Sequence, residues 1–255
     1  MAIFEELWIF IRTIINWIYT FIGFSFFFFT FGLKHVMLFG NDYILPLPSD
    51  NSFCVQIFNI IRYDVLPQNV QLIVTNPMSA FVSQITLALL LGFLVTVPLF
   101  IYSIIMYIIP ALLPHEKRTV IWAIIPFTFL FLSGSAFSYF FLVPATFKVL
   151  YPFATTLGAV PFFGIDEFIY YVFGLMVAVG VMFLLPIFMV LLSYIGLVEP
   201  AFWKSKWRYA LLFFLVLSAI ITPDGTGVTM IMLFLPLVAL YLFGYFFANK
   251  LQKHV

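Results

Sequence analysis

Six apolar runs divide this chain, at about 14–33, 81–109, 120–143, 168–197, 209–221 and 228–248, and polar or proline-rich stretches separate them. A helix needs about 20 apolar residues to cross the roughly 30 Å hydrocarbon core of a bilayer, and five of the runs meet that length. Water offers no alternative fold. Apolar residues make up 65% of the 255 and charged ones 8%, against roughly 45–50% and about 25% in soluble domains. The chain therefore reads as an all-α, polytopic membrane protein of six kinked transmembrane helices, a single domain over 1–255 with both termini on the same side.

Charges and prolines mark where each run ends. Lys34 and His35 are expected to close the first helix. The stretch from Gly40 to Asn76, with Asp42, Pro46, Pro48, Asp50, Arg62, Asp64 and Pro67, is too polar to cross and long enough to cap the outer side. Pro98 interrupts the second run, which a membrane helix tolerates as a kink when neighbours satisfy the freed carbonyl. A short charged loop ending at Lys117 and Arg118 follows. The third run holds Ser133, Gly134, Ser135, Ala136 and Ser138, small residues that let another backbone approach, and is expected to end at Pro144. A loop over 145–166 leads to the fourth run, which contains Pro186 and the small pair Gly174 and Ala178.

The loop from Val198 to Arg208 supplies three cations and the tryptophans Trp203 and Trp207, as expected at a headgroup boundary. The fifth run is about 20 Å long at 1.5 Å per residue and should not span fully. The sixth contains Pro236. Lys and Arg number eight on the side of the termini (Arg12, Lys117, Arg118, Lys204, Lys206, Arg208, Lys250, Lys253) and three on the other (Lys34, Arg62, Lys148), which places the termini in the cytoplasm, stroma or matrix. Glu5 and Glu6 precede the first run where a cleavable signal has a positive region, so the first helix is expected to stay in the mature protein.

The spans themselves exclude several chemistries. An ionisable group inside a membrane is costly and persists for a job, yet every Asp, Glu, Lys, Arg and His falls at a run's end or in a loop. A proton relay has nothing to run on. His35, His115 and His254 all lie at interfaces, where they cannot ligate haem between helices. One cysteine, Cys54, excludes an internal disulfide and any multi-cysteine metal site. A net charge of +1 without a basic run leaves no footprint for nucleic acid. No cofactor and no enzymatic activity are expected. Ser25, Thr86, Thr96, Ser103, Thr128 and Ser193 should bond their own helix or a neighbour's. Function is to be sought on the surface.

Several surface and span segments, in order, resemble TatC, the membrane receptor family of the twin-arginine protein translocase. Tyr107-Ile-Ile-Pro-Ala-Leu-Leu-Pro-His-Glu-Lys-Arg118 is similar to the family's F-x-x-P-A-L-x-x-H-E-R-R hairpin. Gly134-Ser-Ala-Phe-Ser-Tyr-Phe-Phe-Leu-Val-Pro144 resembles its G-x-x-F-x-Y-x-x-x-x-P segment, and the fourth run from Phe173 to Pro186 its fourth helix. Arg208-Tyr209 and Ile221-Thr-Pro-Asp224 complete the set.

The resemblance implies a signal-peptide site in which Glu6 and Glu116 contact twin arginines, with His115 and Arg118 beside them. A carboxylate accepts two parallel N–H bonds from a guanidinium fork, so a pair of them can tell Arg from Lys. It also implies partners: a single-span TatA-type subunit, twin-arginine signal peptides of folded cargo, the lipid bilayer and further copies of the chain, with transport driven by the proton-motive force. Pro46, Pro98, Pro144, Pro186, Pro223 and Asp224 are candidates for structural or transport roles. Three positions depart from the family. Its E-L-R-x-R reads Glu6-Leu-Trp-Ile-Phe10 here, a glutamate of its fourth helix is Leu184, and a lysine early in its second helix is Thr86. With 36 Phe in the chain, this loss of charge looks most like the mitochondrially encoded branch, hence the mitochondrial inner membrane; a plastid thylakoid or bacterial inner membrane is the alternative. The competing reading is a small-molecule carrier or a structural subunit of a respiratory complex.

Overall fold

The computed structural model describes residues 2–38, 41–66, 70–74, 76–108, 117, 121–158, 162–222 and 227–252. The chain forms two compact units, Met1–Tyr107 with Val160–Phe173, and Ile108–Ala159 with Gly174–Val255.

In the first unit, α1 (Ala2–Thr30) begins twelve residues before the expected start at 14 and ends three before the expected stop at 33. Its early start follows from the helix-favouring residue types Ala2, Glu5, Glu6 and Leu7. It stops because Phe31–Leu38 (β1) pairs antiparallel with Asn41–Pro48 (β2), Phe31 opposite Pro48 and Leu38 opposite Asn41. Lys34 and His35 thus lie in a strand and do not close the helix. The N–H of Ser49 donates to the carbonyl of Thr30 at 3.3 Å, satisfying one of the acceptors that the helix end leaves open. Gly32 is required here, since a side chain would collide with the carbonyl of Asn51. Pro46, opposite Leu33, is exposed; in a two-stranded ribbon both strands are edges, where the missing N–H is tolerated.

The chain then forms α2 (Phe53–Val65), with Cys54, Ile61 and Val65 buried. The Cys54 thiol has no exposed surface and donates to the carbonyl of Phe28 at 3.0 Å, while the Gln56 amide donates to the carbonyls of Leu33 and Asn51 at 3.2 and 3.0 Å. Burial pushes this thiol up to about 11. These bonds tie α2 to the end of α1 and to β1. A parallel pair, β3 (Gln71–Ile73) and β4 (Phe162–Gly164), joins the approaches to the next helices. Those helices are α3 (Pro77–Ile108), continuous through Pro98, and α6 (Ile165–Met182), whose first turn carries Asp166 and Glu167.

The second unit corrects the expectation for Pro144. Helix α4 (Ile124–Phe137) does not end there; it passes through one π-helical segment (Ser138–Leu142) directly into α5 (Val143–Thr156). The N–H of Val143 bonds back to the carbonyl of Ser138, one residue further than in an α-helix. That slip lets the chain accept Pro144 in the first turn of the next segment, where its missing N–H costs little. Residues 145–156 are therefore helix and not loop. The whole run is 33 residues long, about 50 Å, so its far end, with the exposed Lys148, overshoots a core of about 30 Å.

Pro186 does break its run. Helix α6 ends at Met182, Phe183 and Leu184 form a turn, and α7 (Leu185–Tyr194) restarts with the proline in its first turn. Next come α8 (Pro200–Ser205), α9 (Trp207–Ile221) and α10 (Val228–Gln252), the last continuous through Pro236. Among the described residues, five runs have the length and apolar character to cross a membrane: Ile11–Thr30, Met78–Tyr107, Ile124–Thr156, Ile165–Tyr194 and Val228–Lys250. The remaining run is α9, at 15 residues only about 22 Å long.

The small patch in α4 packs as its composition predicts. The Ser135 hydroxyl donates to the carbonyl of Met176 on α6 at 3.1 Å, and a Cβ on Gly134 would meet Phe183 at 2.7 Å and the Cα of Gly180 at 3.0 Å. The partner glycine is Gly180; Gly174 has open space around it, so the expected Gly174 and Ala178 pair does not make the seam.

Candidate functional site

Two antiparallel helices of the first unit, α1 and α3, set the level of the turn that carries Glu6. Trp17, midway along α1, donates from Nε1 to the carbonyl of Thr96 on α3 at 3.3 Å, and its ring packs on Phe100 and Phe93 with centroids 4.8 and 6.4 Å away. Toward the other end, Ser25 touches Gly92 so closely that a side chain at Gly92 would collide with the serine hydroxyl. Phe29 then meets Phe81 edge-on at 6.3 Å. Thr96 holds its own helix through a 2.8 Å bond to the carbonyl of Gly92, one turn away and just before Pro98.

This seam sets a common level. Glu6 lies eleven residues before Trp17, and Tyr107 lies eleven residues after Thr96. At 1.5 Å per residue both are about 16 Å from the Trp17 to Thr96 bond, and because the helices run in opposite senses both lie toward the same end of the pair. The turn of α1 that carries Glu6 and the end of α3 at Tyr107 therefore reach one height. His115, Glu116 and Arg118 lie outside the described residues, as do Pro223 and Asp224; Lys117 is half-buried. Acids at such a rim could accept hydrogen bonds from a guanidinium.

The other candidate prolines are structural in the ways given above: Pro46 on an edge strand, Pro98 inside α3 beside the seam, Pro144 behind the π segment, and Pro186 at the break before α7. Leu184 is buried in that break, and Thr86 is half-buried in α3. The span hydroxyls bond as expected: Ser25 to Phe21, Ser103 to Leu99 and Thr128 to Ile124, each to the carbonyl one turn back. Ser193 instead accepts from Trp203 Nε1 at 2.9 Å, and the Tyr241 hydroxyl donates to the carbonyl of Trp203 at 2.6 Å. These bonds pin α8 to α7 and α10. Sequence reading missed the Trp17 seam. The signal was available, since a tryptophan in the middle of an apolar run carries an N–H that must find a partner there.

These features define a class: a multi-pass membrane protein whose described spans pack through aromatic, serine and glycine contacts. Residues 3–236 match the family described as Sec-independent protein translocase protein (TatC), and the chain belongs to that family. It is 33% identical over 217 residues to the TatC of Cenarchaeum symbiosum, covering 85% of this chain and 82% of the relative. It is 32% identical over 192 residues to that of Aquifex aeolicus, covering 74% and 79%. A chloroplastic relative from Pisum sativum is 31% identical over 194 residues, covering 76% of this chain and 54% of its own length. A crystal structure of the twin arginine translocase receptor TatC superposes with a TM-score of 0.74 at 28% identity, covering 97% of this chain and 99% of the other. The chain is accordingly a translocase membrane subunit and not an enzyme.

Proposed function

We propose that this chain is the signal-binding subunit of a twin-arginine translocase and that Glu6 and Glu116, with His115 and Arg118 nearby, form its peptide site. The observation that carries the reading is the shared level of the Glu6 turn and the α3 exit, fixed by the Trp17 to Thr96 bond. Two carboxylates that serve one site suit two arginines on one extended peptide. The apolar spans then act as the wall on which a signal peptide and a single-span TatA-type subunit pack, with further copies assembling alongside and the proton-motive force driving folded cargo across. The short α9 thins the bilayer locally, and inserting four leucines into it should impair export; unaltered transport would remove that part. The 36 Phe and the uncharged Leu184 and Thr86 support a location in the mitochondrial inner membrane. Detection of the chain in a plastid fraction instead would overturn that location.

The site is tested by photocrosslinking a twin-arginine peptide to the wild type, Glu6→Ala and Glu116→Ala. Capture should fall in both variants, and a twin-lysine peptide should be captured poorly by all three. Equal capture by wild type and variants removes the site.

A further inference from the structure

The corner between α8 and α9 concentrates positive charge that the signal-peptide reading does not use. Lys204, Lys206 and Arg208 fall within five residues, all are exposed, and none pairs with a carboxylate among the described residues. Lys206 Nζ stands 5.4 Å from the ring centre of Tyr209, and the Arg208 guanidinium 5.7 Å from that of Trp207. A hollow of about 770 Å³ opens there, lined by Lys204, Ser205, Trp207, Arg208, Tyr209 and Leu212. Its mouth is cationic, its walls are aromatic, and Leu212 extends it one turn into the apolar part of α9. The corner is held in place by the Trp203 bonds to Ser193 and Tyr241.

We infer that this hollow binds the headgroup of an anionic phospholipid, its phosphate against Lys204 and Arg208 and the start of its acyl chain along Leu212. The sign of the charge excludes an arginine-bearing peptide as occupant. Free phosphate would use the cations but leave Trp207, Tyr209 and Leu212 without a function, whereas a lipid uses both ends of the hollow; aromatic and basic residues together are the usual signature of the headgroup layer on the positive side. The position adds a reason. Helix α9 starts here and is about 8 Å shorter than a core of about 30 Å, so headgroups must be drawn inward at its base, and a fixed cationic corner supplies the attraction.

The test is native mass spectrometry of the full chain in detergent, titrated separately with phosphatidylglycerol, phosphatidylcholine and inorganic phosphate. One phosphatidylglycerol should be retained in preference to phosphatidylcholine, and inorganic phosphate should not displace it. Lys204→Gln with Arg208→Gln should weaken retention by roughly fivefold per cation removed, while Lys250→Gln, which removes a cation at another helix end, should leave it unchanged. Melting of each variant in lipid-free detergent establishes that it is folded. Equal retention of both lipids, equal weakening by Lys250→Gln, or displacement by inorganic phosphate alone would each overturn the assignment.

Discussion

The two units join their helices by different means. In the first, α1 meets α3 through a filled aromatic seam, Trp17 lodged against Phe93 and Phe100. In the second, α4 meets α6 almost backbone to backbone, with Gly134 against Gly180 and Phe183, and α10 meets α7 where a Cβ on Gly244 would stand 2.9 Å from the Cα of Pro186. In lipid there is no hydrophobic gain from bringing two apolar helices together, so packing and interhelical hydrogen bonds must supply the attraction. An aromatic seam gives contact area and some latitude for repacking. A glycine seam gives close approach and leaves no room.

That contrast orders the expected effects of substitution. Gly180→Leu should be the most damaging, because the new side chain meets Ser135 Oγ at 2.7 Å and the Phe131 ring at 2.8 Å; a loss of about 3 kcal/mol is expected from overpacking, measured as thermal unfolding in detergent. A variant as stable as wild type would show that this seam can open freely. Trp17→Ala should cost roughly 2 kcal/mol, less than a fully buried tryptophan because this one is half-buried. Trp17→Phe, which keeps a ring and loses only the bond to Thr96, should cost about 0.6 kcal/mol. Ser135→Ala, which removes the bond to Met176, should cost a similar amount. If Trp17→Phe proved as harmful as Trp17→Ala, the hydrogen bond and not the ring would be what holds α1 in place.

A smaller effect concerns the cap. The unfolded chain ionises Cys54 near the ordinary thiol value of 9.0, while the folded chain does so only near 11 because burial disfavours the thiolate. The contribution of the protonated thiol to stability is therefore intact below pH 9 and lost as pH rises toward 11. Unfolding curves should steepen in that window for wild type and less so for Cys54→Ala. Maleimide should leave Cys54 of the folded protein unmodified at pH 7; rapid modification would place the cap away from Phe28.

Much of this architecture is legible in the residues. Among the described residues each apolar run is mostly helix, since a long apolar stretch has few other options in a bilayer. Their ends are less legible. Phe31–Leu38 continues the apolar character of α1 so closely that hydropathy cannot separate strand from helix. Pro144 misleads because a single π segment can hand a proline to the first turn of the next helix. Gly180 and Gly174 are equivalent on paper, and only the facing residues of α4 choose between them. For the proposed acidic site, the residue types and their order come from the family resemblance alone, whereas the Trp17 seam that sets the level of the Glu6 turn is a tertiary fact.

The central proposal is that Glu6 and Glu116 bind one twin-arginine peptide from the same side of the membrane. It is tested most directly by placing single cysteines, Glu6→Cys and Glu116→Cys, in a Cys54→Ala background in sealed vesicles, and adding a membrane-impermeant maleimide or a short bifunctional reagent. The account predicts that both positions label from the same side and that the double variant is crosslinked within one chain. Labelling from opposite sides, or no crosslink with a reagent long enough to span two arginine side chains, would contradict it.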